Sequence, residues 1–479
     1  MAKGITKRGE DYSRWYTDVI REAGLAEHAP VKGCMIIKPY GFAIWEAIQR
    51  ALDDMIKATG HENACFPLFI PESLLTKEAE HVEGFSPECA VVTHGGGKKL
   101  EEPLYVRPTS EAIICSTYAK WMNSWRDLPI LINQWANVVR WEMRTRLFLR
   151  TTEFFWQEGH TAHETAEEAK EEVLRMLECY RALAEDWLAM PVLSGKKSAA
   201  ERFAGAEDTW AIEAMMQDRR ALQAGTSHFL GQNFAKAYDM QFQGRSGQRE
   251  HAWSTSWGVS TRLIGGLIMS HSDDEGLVVP PKVAPIQAVI VPIYRSDDDR
   301  AEVVGKAVAI RDALIAAGIR AKADDREHLK PGAKFFEWEK KGVPVRIELG
   351  PRDIEAGTAV LVRRDTGKAG KESVAIDALP GMIPAILTDL QKSLFDAAKA
   401  RMESETYNIS DYGEMTERLN GDLGFVRADW CGSEACEAKV KKETTATIRV
   451  IPEEGEGVDG TCVVCGEKAS LRPVWSRSY

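Results

Sequence analysis

The sequence predicts an α+β protein of several domains, and three observations predict it. At 479 residues the chain exceeds what one hydrophobic core organises, so roughly two to four domains are expected. Prolines cluster at VVPPKVAPI, residues 278–286, and behind them strand patterns alternate with helical ones. Four of the nine cysteines lie between residues 431 and 465, which marks a small terminal unit with its own means of stabilisation.

Taken in order, residues 41–59, GFAIWEAIQRALDDMIKAT, place Trp45, Ile48, Leu52 and Met55 at helical spacing, with Gly60 as a stop. The apolar run ACFPLFIP follows. Its Pro67 points to an edge or an interface rather than a central strand. GGGKK, residues 95–99, reads as a hairpin or loop tip and lacks the Lys-Ser/Thr of a phosphate loop. Two apolar runs of strand character lie within 138–163, and a helix is expected over 165–188, with Ala166, Ala169, Val173, Leu177, Tyr180, Ala184 and Trp187 on one face and Pro191 ending it. After the proline cluster come the strand QAVIVPIY, a helix over 300–317, the strands PVRIEL and GTAVLVRR, and a helix over 381–400. That is a compact α/β unit. The tail adds a strand pattern, ATIRVI, and two cysteine pairs. The expected domains are therefore 1–282, 285–398 and 400–479.

Composition excludes some functions. Hydrophobic content of 44% and charged content of 28% are ordinary for a globular protein. No stretch approaches the roughly 18 apolar residues of a membrane helix, and the opening MAKGITKRGEDYSRW has no apolar run behind its positive charges, so a cytoplasmic chain is expected. The net charge of −11 argues against a uniformly basic nucleic-acid binder. Residues 285–372, however, hold 17 Lys and Arg against 15 Asp and Glu, so a polyanionic partner would meet this segment.

Five cysteines are scattered singly, whereas Cys431 and Cys436, then Cys462 and Cys465, form two close pairs. Between the pairs lie 25 residues of hairpin-like pattern. Four thiolates so arranged suit tetrahedral zinc in a closed, structural site.

The most polar of the strand-like stretches is VVRWEMRTRLFLRTTEFFWQEGHTAH, residues 138–163. Alternation places Arg140 and Glu142 on one face, and Trp156, Glu158 and His160 on one face of the second run. Antiparallel pairing would gather them into a polar floor under an arginine-rich loop, suited to phosphate; an internal salt-bridge network between Arg140 and Glu142 or Glu158 explains the charges equally well. In YVRPTSEAII, Thr109 and Glu111 precede an apolar helical run, and Thr109 or Ser110 serves as a helix cap on the simplest reading. In LQAGTSHFLG, Gln223, Thr226 and His228 surround a glycine, and a lone histidine there is more often structural. In SWGVSTRLIGG, Ser260 and Arg262 open an apolar helix, where a single arginine is usually a surface or interface residue.

Together these segments resemble the class II aminoacyl-tRNA synthetases, and within them the prolyl-tRNA synthetase family of the archaeal and eukaryotic type, over essentially the whole chain. The helix at 41–59 with Pro67 resembles motif 1, Arg140-Trp-Glu142 with its loop motif 2, and GVSTRLIGG with Arg262 motif 3. RPTSE and GTSH resemble the proline-pocket elements. The resemblance implies an antiparallel sheet flanked by helices, an α/β anticodon-binding domain at 285 to about 395, and a zinc-binding C-terminal extension. Only about 120 residues separate Arg140 from Arg262, which leaves no room for the editing insertion of bacterial-type relatives. The activity implied is ATP-dependent proline activation to prolyl-adenylate, then transfer to the 3′ end of tRNA(Pro). By the same resemblance, Arg140, Arg262 and Glu142 serve catalysis; Thr109, Glu111, Arg140 and His228 hold L-proline; Arg140, Glu142, Thr151, Thr152, Gln223, Thr226, Ser260 and Arg262 hold ATP, with Mg2+; and Cys431, Cys436, Cys462 and Cys465 hold a structural Zn2+. A homodimer through the motif 1 region and no membrane partner are also implied.

Overall fold

The structure is a computed structural model that describes residues 4–77, 89–452, 458 and 460–479. The first long helix after the N-terminal one, Pro39–Ala58, starts two residues before the periodic pattern because Pro39 occupies its first turn, where a missing N–H removes no bond. It buries Ile44, Trp45, Ile48, Leu52 and Ile56. The helix Ala166–Ala182 is capped by Thr165, which accepts from the Glu168 N–H, and it runs into a wider turn at Leu183–Trp187.

The central sheet has seven strands, in the order Glu62–Asn63, Ile130–Val139, Glu153–His163, Trp253–Ser260, Ala221–Gly231, Asp208–Met215 and Val192–Lys196. All neighbours are antiparallel except the first pair. Helix Ala166–Ala182 covers one face. There Tyr180 donates to Gln157 (2.6 Å), Gln157 to Asn133 (2.8 Å) and Asn133 to Asn63 (2.7 Å), a chain of bonds that leaves none of these amides stranded. Gly159 is required on the same sheet: a Cβ there would meet the Trp257 ring of the paired strand at 2.1 Å. The opposite face carries the polar residues and stays open.

The GGGKK segment is the turn between strands Ala90–Gly95 and Lys98–Val106, with Gly96 and Gly97 at positive φ. Among the described residues Phe69–Pro71 pairs only with Lys98–Val106 and so forms an edge, as Pro67 suggests.

The second unit is a five-stranded mixed sheet, ordered Ala321–Ala323, Ala288–Pro292, Val345–Leu349, Thr358–Arg363 and Glu372–Ala375. Helices Asp297–Ala316 and Leu379–Ser404 contribute to its core. The latter helix runs through residues 398–400, so the expected boundary lies inside a continuous element.

The third unit is a four-stranded sheet with helices Tyr412–Asn420 and Glu434–Thr444. Two expectations are corrected here and in the first unit. The segment between the cysteine pairs is not a hairpin: it holds helix Glu434–Thr444 and strand Thr447–Val450, because EACEAKVKKET is built of strong helix formers. Nor do Arg140 and Glu142 share a strand face. The strand ends at Val139; Arg140 keeps one ladder bond, its N–H to Thr152 O at 2.8 Å, and Glu142 lies in the loop beyond, where strand alternation no longer applies.

Candidate active site

The open face of the central sheet is the floor of a cavity of about 230 Å³, lined among others by Thr109, Glu111, Arg140, Gln223, Thr226, His228, Ser260 and Arg262. All but Thr109, which lies in the short connection before helix Glu111–Trp121, stand on a regular element or at its end. Gln223, Thr226 and His228 project from strand Ala221–Gly231, Ser260 ends strand Trp253–Ser260, Arg262 begins helix Arg262–His271, and Glu111 begins helix Glu111–Trp121.

One end of the cavity is acidic. Glu111 and Glu158 are 3% and 1% exposed. His160 lies between them, its Nε2 3.4 Å from Glu111 and 3.9 Å from Glu158. Ser110 donates to Glu158 through its hydroxyl (2.5 Å) and its N–H (3.2 Å), and Gln134 donates at 2.8 Å. Thr109 donates to Glu111. Neither hydroxyl caps the helix; both are committed to buried carboxylates, which is why the capping interpretation does not hold here. Burial opposes the His160 imidazolium, but Glu111 and Glu158 outweigh it and lift its pKa. Burial, together with Glu111, raises the pKa of Glu158. With two carboxyls to one imidazole, this end is suited to a small cation.

His228 behaves differently. Burial first, then the nearby His160 and Arg140 charges, outweigh Glu111 and pull its pKa down to about 4, so the ring is neutral near pH 7. It shares a 2.9 Å hydrogen bond with Thr209 and stacks on Phe203 at 4.5 Å.

The other end is basic. Arg140 donates to Pro108 O (3.0 Å) and lies over the rings of Phe154 and Trp156 at 5.6 and 5.5 Å. Glu142 lies 3.6 Å from Arg150. Arg262 donates to Leu149 O (3.2 Å), and among the described residues no carboxylate forms an ion pair with it. Its pKa falls to about 10, through burial first and then repulsion from Arg150 and Arg140, with only partial relief from Glu213. A guanidinium buried like that of Arg262, with other arginines nearby, is unfavourable unless an anion joins it. The buried Trp156 Nε1 and Ser256 Oγ find no hydrogen-bond partner among the described residues, a further sign of a ligand in this space.

Three residues expected here stand elsewhere. Thr151 donates to Glu153 O, Thr152 packs against Gly33, and Glu142 accepts from the Arg144 N–H; none lines the cavity. Conversely, the cavity includes Ser256 and Gly258, whose small side chains alternate with Trp257 and Val259 towards Ser260, a period-two signal present in the sequence. Glu201, Arg202 and Phe203 also line it and had no such signal, since they sit in a connection between strands.

The four tail cysteines converge, their Sγ atoms all within 4.8 Å of one another. The separations Cys431–Cys436 and Cys431–Cys465 are 3.8 and 3.7 Å. Tetrahedral zinc with bonds of about 2.3 Å requires sulfur separations of about 3.8 Å, so the donor set fits. Burial raises the Cys462 thiol, but N–H donors from Cys465, Val464 and Cys431 and the Cys465 thiol prevail and bring it to about 7; burial and the neighbouring thiols push Cys431 and Cys436 up instead.

Comparison with known proteins gives three family matches: "tRNA synthetase class II core domain (G, H, P, S and T)" over residues 93–271, "Anticodon binding domain" over 287–386, and "Prolyl-tRNA synthetase, C-terminal" over 412–479. The proline–tRNA ligase of Chlorobium phaeobacteroides is 58% identical over 487 aligned residues, covering 100% of both chains. That of Prosthecochloris aestuarii is 57% identical with the same coverage. That of Porphyromonas gingivalis is 56% identical and covers 100% of this chain and 99% of its own.

Proposed function

This chain belongs to the proline–tRNA ligase family of class II aminoacyl-tRNA synthetases, and from that premise we propose how its residues divide the reaction of proline, ATP and tRNA(Pro). The acidic end of the cleft takes the secondary ammonium of L-proline: Glu111 and Thr109 receive it, while neutral His228 and the stacked Phe203 flank the ring. A second ammonium hydrogen finds no acceptor in a purely apolar pocket, so the buried carboxylates favour an amino acid that arrives as a cation.

The basic end takes the anions. Arg140 stands between the two ends, where it bridges the proline carboxylate and the α-phosphate as the first attacks the second. Arg262 holds the distal phosphates, and Gln223, Thr226 and Ser260 complete the nucleotide side. The chemistry asks for positioning and charge neutralisation, with no covalent catalyst. Mg2+ adds charge neutralisation at the phosphates; the Gln223 amide is a neutral oxygen ligand available to it. Glu142, Thr151 and Thr152 act on ATP only if the 140–150 loop closes over it. Zn2+ at Cys431, Cys436, Cys462 and Cys465 has a structural role, since four protein ligands leave no open position.

The observation that carries this reading is that one cleft brings the buried carboxyls of Glu111 and Glu158 together with the guanidinium groups of Arg140 and Arg262. Its test is ATP–pyrophosphate exchange. Arg140→Ala lowers proline-dependent exchange on the order of 10²-fold or more; exchange near the wild-type rate excludes the assignment.

The homodimer and the cytoplasmic location belong to the same reading. Val31, Ile36 and Phe69 expose large apolar side chains around the Pro39–Ala58 helix region, which supports self-association there; a monomeric sedimentation mass at micromolar concentration contradicts it. Among the described residues no helix is long and apolar enough to cross a membrane.

A further inference from the structure

One wall of the cleft comes from no recognised motif. Residues 197–207 join strands Val192–Lys196 and Asp208–Met215, and Glu201, Arg202 and Phe203, in its first part, 197–203, line the cavity. Its own secondary structure is a single turn at Ala199–Glu201. It is held from two sides: within its own unit the Lys197 N–H donates to Thr209 O at 2.8 Å and the Phe203 N–H to Thr209 Oγ1 at 3.2 Å, and further bonds come from the C-terminal domain, some 240 residues further on. Ser198 Oγ donates to Glu437 Oε1 at 2.6 Å, both residues being buried. One turn along the same helix, Lys441 Nζ lies 3.1 Å from Glu201. Lys197 Nζ and Arg449 Nη2 both reach Glu213 Oε1 at 2.7 Å, with all three side chains at most 6% exposed. Lys196 and Ile451 exchange two backbone hydrogen bonds of 2.9 and 2.7 Å. Gly195 permits that approach, since a Cβ there would sit 2.5 Å from Ile451 O.

We propose that the C-terminal domain is a positioning element of the amino-acid site, with Glu437 and Arg449 as the residues that hold the 197–203 wall and, through Phe203, the stack against His228. The proposal rests on the reading of the acidic end of the cleft as the proline site. The exposed Lys441–Glu201 pair contributes little by itself; the buried bonds carry the tether, because breaking one leaves a desolvated polar group unmatched. A loosened wall must be ordered anew each time proline binds, whereas Arg140 and Arg262 stand on other elements and keep their grip on ATP.

The test is ATP–pyrophosphate exchange on the full chain, with proline and ATP varied separately and thermal melting followed in parallel. Glu437→Ala raises the KM for proline about tenfold, as loss of roughly one ordered residue would, and leaves the KM for ATP within about twofold. Glu437→Gln, whose amide oxygen still accepts from Ser198, restores the wild-type value. Ser198→Ala breaks the same bond from the other side, away from the cysteines, and reproduces the effect. Unchanged KM values in both Glu437→Ala and Ser198→Ala overturn the proposal; so does a parallel rise of both KM values with a lowered melting temperature. Glu111→Gln separates the two levels. If it raises the KM for proline while the tether variants do not, the cleft reading stands and the tether falls; if it does not, both fall.

Discussion

Arg262 illustrates how function shapes single side chains. It begins helix Arg262–His271 and is held by one carbonyl bond, with its pKa drawn down to about 10 by burial and neighbouring arginines. A cation so placed destabilises the empty protein and is retained for what it binds. Arg262→Met should therefore abolish pyrophosphate exchange and yet raise the melting midpoint without ATP, by the equivalent of about 1 kcal/mol. A lowered midpoint would mean that Arg262 supports the fold. At this scale the sequence was only partly legible. Arg140, Glu111 and His228 stand in the cleft as expected, but the roles of Thr109 and Ser110 were ambiguous, because a hydroxyl before a helix caps it or not according to what lies opposite. Here Glu158, 48 residues away from Ser110, takes that hydroxyl.

Elements were more legible than their ends. The helices at 39–58 and 166–182 follow from periodicity, since one face of each is buried; strand Ala288–Pro292 is buried throughout and shows as a continuous apolar run, and in Val345–Leu349, also buried throughout, Arg346 and Glu348 bond to each other. The miss at 437–461 has the opposite cause: helix Glu434–Thr444 is only partly buried and mostly charged, so its pattern lacks a broad apolar stripe. That helix carries Cys436 and thus half of the first cysteine pair. Cys462→Ser should lower zinc from about one per chain to a small residue and make the 412–479 region sensitive to proteolysis, as expected when a structural metal supplies folding energy. Purified protein that contains no zinc, with a chelator leaving proteolysis unchanged, would remove the metal from the account.

At the scale of the molecule, domain docking governs what the cleft can do. Arg364 of the anticodon-binding unit makes two 2.7 Å bonds to Asp273, just past the end of the helix that Arg262 begins. It also donates to the carbonyls of Leu277 and Glu339. Asp273 is held well below the usual carboxylate range; burial opposes this, but Arg364 and the Glu275 and Gly276 N–H groups prevail. Arg364→Ala should loosen this joint and lower tRNA charging by about tenfold or more, on the scale of about 1.5–3 kcal/mol for a hydrogen bond to a charged group, while amino-acid-dependent exchange persists. An equal fall in both would place Arg364 in the activation step. The C-terminal residue joins the same assembly: Arg146 of the motif 2 loop lies between the rings of Tyr16 and Tyr479 at 4.8 and 5.2 Å, and Tyr479 donates to Asp218.

The sequence alone determined the order of the domains, the helices with one buried face, Arg140, Arg262 and Glu111 as residues that line the cleft, and the four thiols that cluster in the tail. All of these are local: a period, a spacing, or a residue type that only one chemistry requires. Only the tertiary structure decided that residues 197–203 wall the cleft, that Glu142, Thr151 and Thr152 lie outside its lining, and that Glu213 binds Lys197 and Arg449 together. Those facts depend on which buried polar groups meet across hundreds of residues, and desolvation settles that pairing only once the chain has closed around them.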